Sequence, residues 1–329
     1  MTITRNTEAG PAHTAGPAPA PHTPGPRRRS KARNRKRLEI GLFVAPATIV
    51  YIAFVLVPVG LAAVYSFFKW NGYGPLEDFN FPDNYTRAIG DPVFIGAIGH
   101  NLFIVVLSLV VQGPIAIALA LLLNRKMKGR TALRVIIFIP YVLSEVIAGL
   151  SWKLLLQPNG PFDAFLQSIG LGSMQQLWLA DQDIVLWTLF WILTWKYIGF
   201  AILLMLAGLQ GIPEELTEAA QIDGASWWQV QRHITIPLLG PTIRIWAFLS
   251  IIGSLQLFDM VWIVTGGGPA NATATMATYM VQYGFQRNQL GFGSAVAVIL
   301  FIISLVFALV YQRYVLKRDL QGSLTQGVG

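Results

Sequence analysis

The chain has 329 residues, 54% of them hydrophobic and only 12% Asp, Glu, Lys or Arg, about half the charged share of soluble proteins. Its net charge of +8 sits in blocks beside apolar runs, which points to membrane topology rather than to nucleic acid. It contains no cysteine, which excludes disulfides, thiolate metal sites and cysteine nucleophiles.

Residues 1–26 are rich in Ala, Pro, Gly and Thr, a composition that predicts a disordered tail. His13 and His22 lie there and are assigned no metal. The basic block Arg27–Arg37 follows, closing a tail of residues 1–37. The apolar run from Ile40 to Phe68 is too long for a signal-peptide core and lacks a small-residue cleavage pattern, so it reads as a retained first span. Five more spans are expected, near 95–123, 135–156, 184–209, 242–263 and 291–314, each close to the ~20 residues a bilayer requires. Together they make residues 38–318 one six-span, all-α membrane domain, with a short tail at 319–329. Pro46, Pro58, Pro114 and Pro140 mark candidate kinks.

Basic residues set the orientation. Arg5 and eight more up to Arg37 precede span one. Arg125, Lys126, Lys128, Arg130 and Arg134 follow span two, and Lys317 and Arg318 follow span six. The opposite loops carry Lys69 and Arg87, none from 157 to 183, and Arg287. The positive-inside rule therefore places both termini and the loop 210–241 in the cytoplasm.

That loop contains EELTEAAQIDGASWWQVQRHITIPLLGP, from Glu214. Pro213 suits a helix start, and Glu214 and Glu215 complement its positive dipole end. Gly224 suits a left-handed cap. Ser226 and Gln229 form a capping-box pattern for a second helix, which Pro237 is expected to end. Ile212, Leu216, Ala219 and Ala220 make a narrow apolar stripe, while Glu214 and Glu218 are a like-charge pair. A lipid-surface helix would carry Lys and Arg instead, so the pattern fits docking to a partner that supplies cations.

Within the spans, ionisable residues are the informative ones, because burying them is costly. Lys153 and Arg244 lie near span ends and can snorkel. Glu145, Lys196 and Asp259 are candidates for the bundle interior, as pathway residues or internal pairs. Gln256, Asp259 and Trp262 recur at i, i+3 and i+6 and are expected on one side of a helix, where aromatic and hydrogen-bonding groups could line a cavity. Asn101 and Gln112 are weaker candidates. The run Gly266–Gly268 reads either as a plain turn or as an outer contact loop. His100 and His233 have no evident catalytic partners, and neither H-E-x-x-H nor a phosphate-binding G-x-x-x-x-G-K-[ST] motif occurs. A membrane enzyme is thereby disfavoured. A self-contained secondary transporter or channel stays open, but it gives no reason for an acidic docking helix.

Glu218-Ala219-Ala220, Asp223-Gly224-Ala225 and Ile236-Pro237 resemble the EAA loop of ATP-binding-cassette importer permeases of the type I, carbohydrate-uptake branch. Residues 258–269, FDMVWIVTGGGP, and 195–200 resemble the same branch. Ile236 stands where leucine is usual. The resemblance spans about 40–318. It implies a coupling helix in which Glu214, Glu215, Glu218, Ala219, Ala220, Asp223, Gly224, Ile236 and Pro237 meet a cytoplasmic ATPase. It further implies a second six-span permease as heterodimer partner, an extracytoplasmic sugar-binding protein, and a place in a bacterial inner membrane. No catalysis and no cofactor are expected on this chain, ATP and Mg being held by the partner ATPase.

Overall fold

The computed structural model describes residues 27–125 and 128–316, with side chains from Glu39 onward; the tails at 1–26 and 319–329, with His13 and His22, lie outside the described residues. The chain divides at Pro58 into two units. The first is helical from Arg27 to Tyr51 and continues as a π-turn, Ile52–Leu56. Its Leu42, Phe43 and Phe54 are exposed, as suits side chains that meet hydrocarbon.

Four helices are long and apolar enough to cross a membrane: α1 (Glu39–Tyr65), α3 (Pro92–Asn124), α7 (Val185–Gln210) and α13 (Leu290–Leu316). Two bent pairs complete six spans if each counts as one. They are α4 (Arg130–Val142) with α5 (Glu145–Leu155), bent by 96°, and α9 (Trp227–Leu238) with α10 (Gly240–Leu255), bent by 63°. Between these lie the short helices α2 (Asp83–Gly90), α6 (Pro161–Ser168), α8 (Glu214–Ile222), α11 (Asp259–Val264) and α12 (Met276–Tyr279). Among the described residues the only β pairing is one isolated bridge, Phe68 with Phe79. The all-α, six-span expectation agrees with this architecture, but two spans differ in detail. The third breaks at Leu143 and Ser144, just after Pro140, whose missing N–H weakens the helix there. The fifth stops at Leu255 instead of running to 263.

Three prolines share one accommodation. Pro58, Pro114 and Pro237 each follow a π-turn, at Ile52–Leu56, Ser108–Gln112 and Gln231–Thr235. The wider turn shifts the hydrogen-bond ladder just before a residue that has no N–H to offer, so the helix continues. Pro237 therefore does not end its helix as the sequence suggested. The chain turns at Leu239, two residues later.

The middle of the second unit is α7, with Val185, Leu189, Ile192, Ala201 and Met205 buried. The lower half of α3, α4 and α10 pack around it. Two glycines permit close approaches here. A Cβ at Gly199 would lie 2.6 Å from the Ile137 carbonyl oxygen, and one at Gly113 would lie 2.6 Å from the Trp246 ring. Residues 273–279, after the glycine run, are fully buried. Thr265 meets Thr273 at 2.7 Å, and the Thr273 hydroxyl donates to Gly268 O at 2.8 Å. Gly266 and Gly267 take positive φ, +61° and +87°, where residues with a Cβ are strained. The run is thus the knot of a packed plug rather than a plain connecting turn. Tyr279 anchors that plug to the start of α3 by donating to Asp91 at 2.5 Å. Burial, then that hydrogen bond and the Asp91 charge, push the Tyr279 hydroxyl above its ordinary range, which keeps it a donor.

Candidate functional site

The 210–241 loop is built as two capped helices. The Ala225 amide donates to Ala220 O at 2.9 Å and the Gly224 amide to Gln221 O at 3.0 Å. With Gly224 at φ +86°, this is a Schellman ending that satisfies the last carbonyls of α8. The expected capping box is present: Ser226 Oγ accepts from Gln229 N, and the Gln229 carboxamide oxygen accepts from Ser226 N at 2.7 Å. The C-terminal end of α8 and the start of α9 are therefore locally determined.

Its outward face is left open. Glu214, Glu215, Glu218, Ala219 and Asp223 are exposed, as are Leu216, Ile222 and Trp228, with Ile222 86% exposed. Ala220 and Ile236 are half-buried, and Pro237 is exposed. Among the described residues no cation pairs with Glu214, Glu215 or Glu218. The loop is held from behind: Val230 and Leu239 are buried, and the Arg125 guanidinium stacks over Trp227 at 3.9 Å. Leu239 packs with Ala116, Ala120, Met205 and Trp246. A rigid connection thus runs from the exposed acidic helix to the spans.

A cavity of about 270 Å³ opens between α3, α4, α7 and α10. Its polar groups are Ser108, Gln112, Thr194, Tyr197, Ser250 and Ser254, with Tyr141, Phe190, Phe200 and Trp246 as aromatic walls. Ser108 Oγ donates to Gln112 Oε1 at 2.7 Å and meets Ser250 Oγ at 2.5 Å. Thr194 Oγ1 is buried without a protein partner. Tyr141 stacks on Phe200 with ring centroids 5.3 Å apart. Hydroxyls, a carboxamide and aromatic faces together can hydrogen-bond and stack on a polyhydroxylated ligand.

None of the five pathway candidates lines this cavity. Lys196 is 1% exposed and donates to the carbonyls of Pro140 and Tyr141, both at 3.0 Å, and of Leu143 at 2.5 Å. Its Nζ lies 3.6 Å from Glu145 Oε1, which also accepts from the Tyr197 hydroxyl at 3.1 Å. Lys196 and Glu145 are therefore the internal pair, fastening the broken third span. Gln256, Asp259 and Trp262 do not share a helix. Gln256 ends α10, Phe258 leaves helical geometry at φ −131°, and Asp259 starts α11. Gln256 and Asp259 are exposed, and Trp262 stacks on Phe258 at 5.3 Å. Asn101 is fully buried and bridges a second break. It donates to Ser254 O at 2.6 Å and accepts from Met276 N at 2.9 Å.

The cavity's serines, Thr194, Tyr141 and Tyr197 were missed from sequence, and Gln112 was named only as a weak candidate. The available signal was small polar residues set singly in apolar helices. A Ser in a span costs little and bonds readily to its own helix, so it does not stand out as an ionisable residue does.

Residues 112–319 match the family described as binding-protein-dependent transport system inner membrane component. The chain is 31% identical over 287 residues to the trehalose/maltose transport system permease protein MalF of Thermococcus litoralis, covering 86% of this chain and 95% of that one. It is 32% identical over 275 residues to the arabinooligosaccharides transport system permease protein AraP of Bacillus subtilis, covering 82% and 86%. Among solved structures it resembles a bacterial alginate ABC transporter in complex with an alginate pentasaccharide-bound periplasmic protein. There the TM-score is 0.76 at 25% identity, over 88% of this chain and 99% of that one. These relatives are permease subunits, transport components rather than enzymes. By the length of the match and by its identity to these permeases, the chain belongs to the inner-membrane components of binding-protein-dependent ABC transport systems.

Proposed function

We propose that the chain forms half of the translocation pathway of an ATP-driven sugar importer and couples to a separate ATPase through α8. The observation that carries this reading is the acidic face of α8. Its three glutamates stand exposed, without a cation partner among the described residues, on a helix capped at its C-terminal end and followed by a segment packed on the spans. Such a surface suits a groove on another subunit that supplies cations. The positive-inside pattern supports cytoplasmic termini and a cytoplasmic α8. ATP and Mg would be bound on the ATPase. A second six-span permease would complete the pathway as a heterodimer, and an extracytoplasmic binding protein would deliver the sugar. Carbohydrate as the cargo class is supported by the relatives' transport of maltose and arabinooligosaccharides and by the polar and aromatic lining of the 270 Å³ cavity. The cavity would be this chain's share of the pathway.

The test is purification in mild detergent from the native membrane, with mass spectrometry of the accompanying chains. An ATPase and a second six-span protein are expected. A stable assembly of this chain alone, transporting without ATP, would replace this reading with a secondary transporter or channel.

A further inference from the structure

A second groove, of about 380 Å³, lies between α4 and α7 at the end of the bundle that carries the 125–134 connection. Val135, Ile137, Phe138, Ile202, Leu203 and Leu206 make its walls, and Arg134 stands at its mouth with Thr131 and Gln210. From Gly199 to Gln210 the groove follows α7 for twelve residues, eleven rises of 1.5 Å or about 16 Å. That is close to one leaflet, half of a hydrocarbon core ~30 Å thick.

The sequence leading into α4 is basic. Arg125, Lys126, Lys128, Arg130 and Arg134 fall within ten positions, and no Asp or Glu occurs between Asp91 and Glu145. None of the residues lining the groove is acidic. Arg134 donates through Nη2 to Leu123 O at 3.3 Å, a long bond, and its Nε is buried with no protein acceptor. Among the described residues no carboxylate pairs with it. A buried guanidinium nitrogen without an acceptor is costly, and an acceptor-rich anion seated at the mouth would relieve it.

We propose that this groove binds one anionic phospholipid, its acyl chain along α7 and its phosphate at Arg134. An apolar slot one leaflet deep, with an under-satisfied guanidinium in its lining and no acidic residue there, matches that ligand in length, polarity and charge. Neither the ATPase reading nor the sugar cavity enters this argument.

The test is native mass spectrometry of the full-length chain, purified with whatever subunits accompany it and equilibrated with mixed phosphatidylglycerol and phosphatidylcholine. Wild type is expected to retain one phosphatidylglycerol in preference to phosphatidylcholine. Arg134→Gln should lower that preference about tenfold, the scale of one lost charge-assisted hydrogen bond. Arg134→Lys should keep part of it. Leu203→Trp should reduce retention of both lipids by filling the slot, which keeps the proposal testable if Arg134→Gln does not fold. Lys153→Gln, an exposed basic residue outside the groove, should change nothing. Equal retention of the two lipids by wild type, or wild-type retention in both Arg134→Gln and Leu203→Trp, overturns the proposal. Cross-linking of the Leu203→Cys variant through its thiol to another subunit would overturn it in favour of a protein occupant.

Discussion

Lys196 Nζ lies 2.5 Å from the Leu143 carbonyl oxygen, in the break between α4 and α5. The same ammonium bonds to the Pro140 and Tyr141 carbonyls and faces Glu145, the first residue of α5. One cation therefore satisfies the carbonyl end of one helix, where the dipole is negative, and pairs with the acid that begins the next. Replacing it with Met keeps the length and removes every donor. Lys196→Met is expected to destabilise the purified protein by about 3–5 kcal/mol, the range for breaking a buried ion pair. A thermal midpoint in detergent equal to wild type would contradict this. Glu145→Gln should cost less, because the carbonyls keep their cation.

Gly199 allows α7 to pass close to the α4 backbone. A Cβ there meets the Ile137 carbonyl oxygen at 2.6 Å and the Phe138 Cα at 3.2 Å. Backbone cannot yield as a side chain can, so Gly199→Ala should cost about 1–3 kcal/mol. The check is thermal stability of the variant. A wild-type midpoint would mean that the two helices separate freely.

Gly224 separates backbone strain from steric clash. A Cβ at this position meets nothing within 4 Å, yet φ is +86°. Gly224→Ala should therefore cost about 1–2 kcal/mol of local strain, fray the end of α8 and weaken transport without loss of the protein from the membrane. Gly224→Asn should do less harm, because Asn tolerates the left-handed region. Equal transport in all three proteins would show that the ending of α8 is unimportant.

Glu218 tests the docking surface. It is exposed and has no cation partner among the described residues, so Glu218→Lys should leave folding unchanged within ~0.5 kcal/mol. If α8 seats in a cationic groove, the same change should cut co-purification of the ATPase at least tenfold, the scale of a repulsive contact. Undiminished co-purification would remove Glu218 from that contact.

Ser250 tests the cavity. It lines the wall and meets Ser108 at 2.5 Å. Ser250→Phe places a ring in a space of about 270 Å³ and is expected to abolish uptake while the subunits still assemble. Normal uptake would move the pathway elsewhere.

The spans and the loop were legible in sequence because their causes are local. Hydropathy over ~20 residues identifies a span. A Pro, two Glu, a Gly and a Ser-x-x-Gln box bound two helices whichever way the rest of the chain folds, and α8 begins and ends where those residues place it. Composition and motif also sufficed to identify the family, since both are properties of the chain itself.

The interior was decided only by tertiary structure. Lys196, Glu145 and Asn101 stand out in sequence as polar residues in apolar surroundings, but position along the chain does not say whether such a group faces a path or a broken helix end. Lys196 reaches carbonyls more than fifty residues away, and Asn101 joins residues more than 150 apart. The helical spacing of Gln256, Asp259 and Trp262 failed because the helix stops at Leu255, where Asn101 takes up the carbonyl of Ser254. In hydrocarbon every backbone group must find a partner within the protein. Lys196 and Glu145 were therefore claimed by the break in the third span, and modest hydroxyls from separate helices were left to line the cavity.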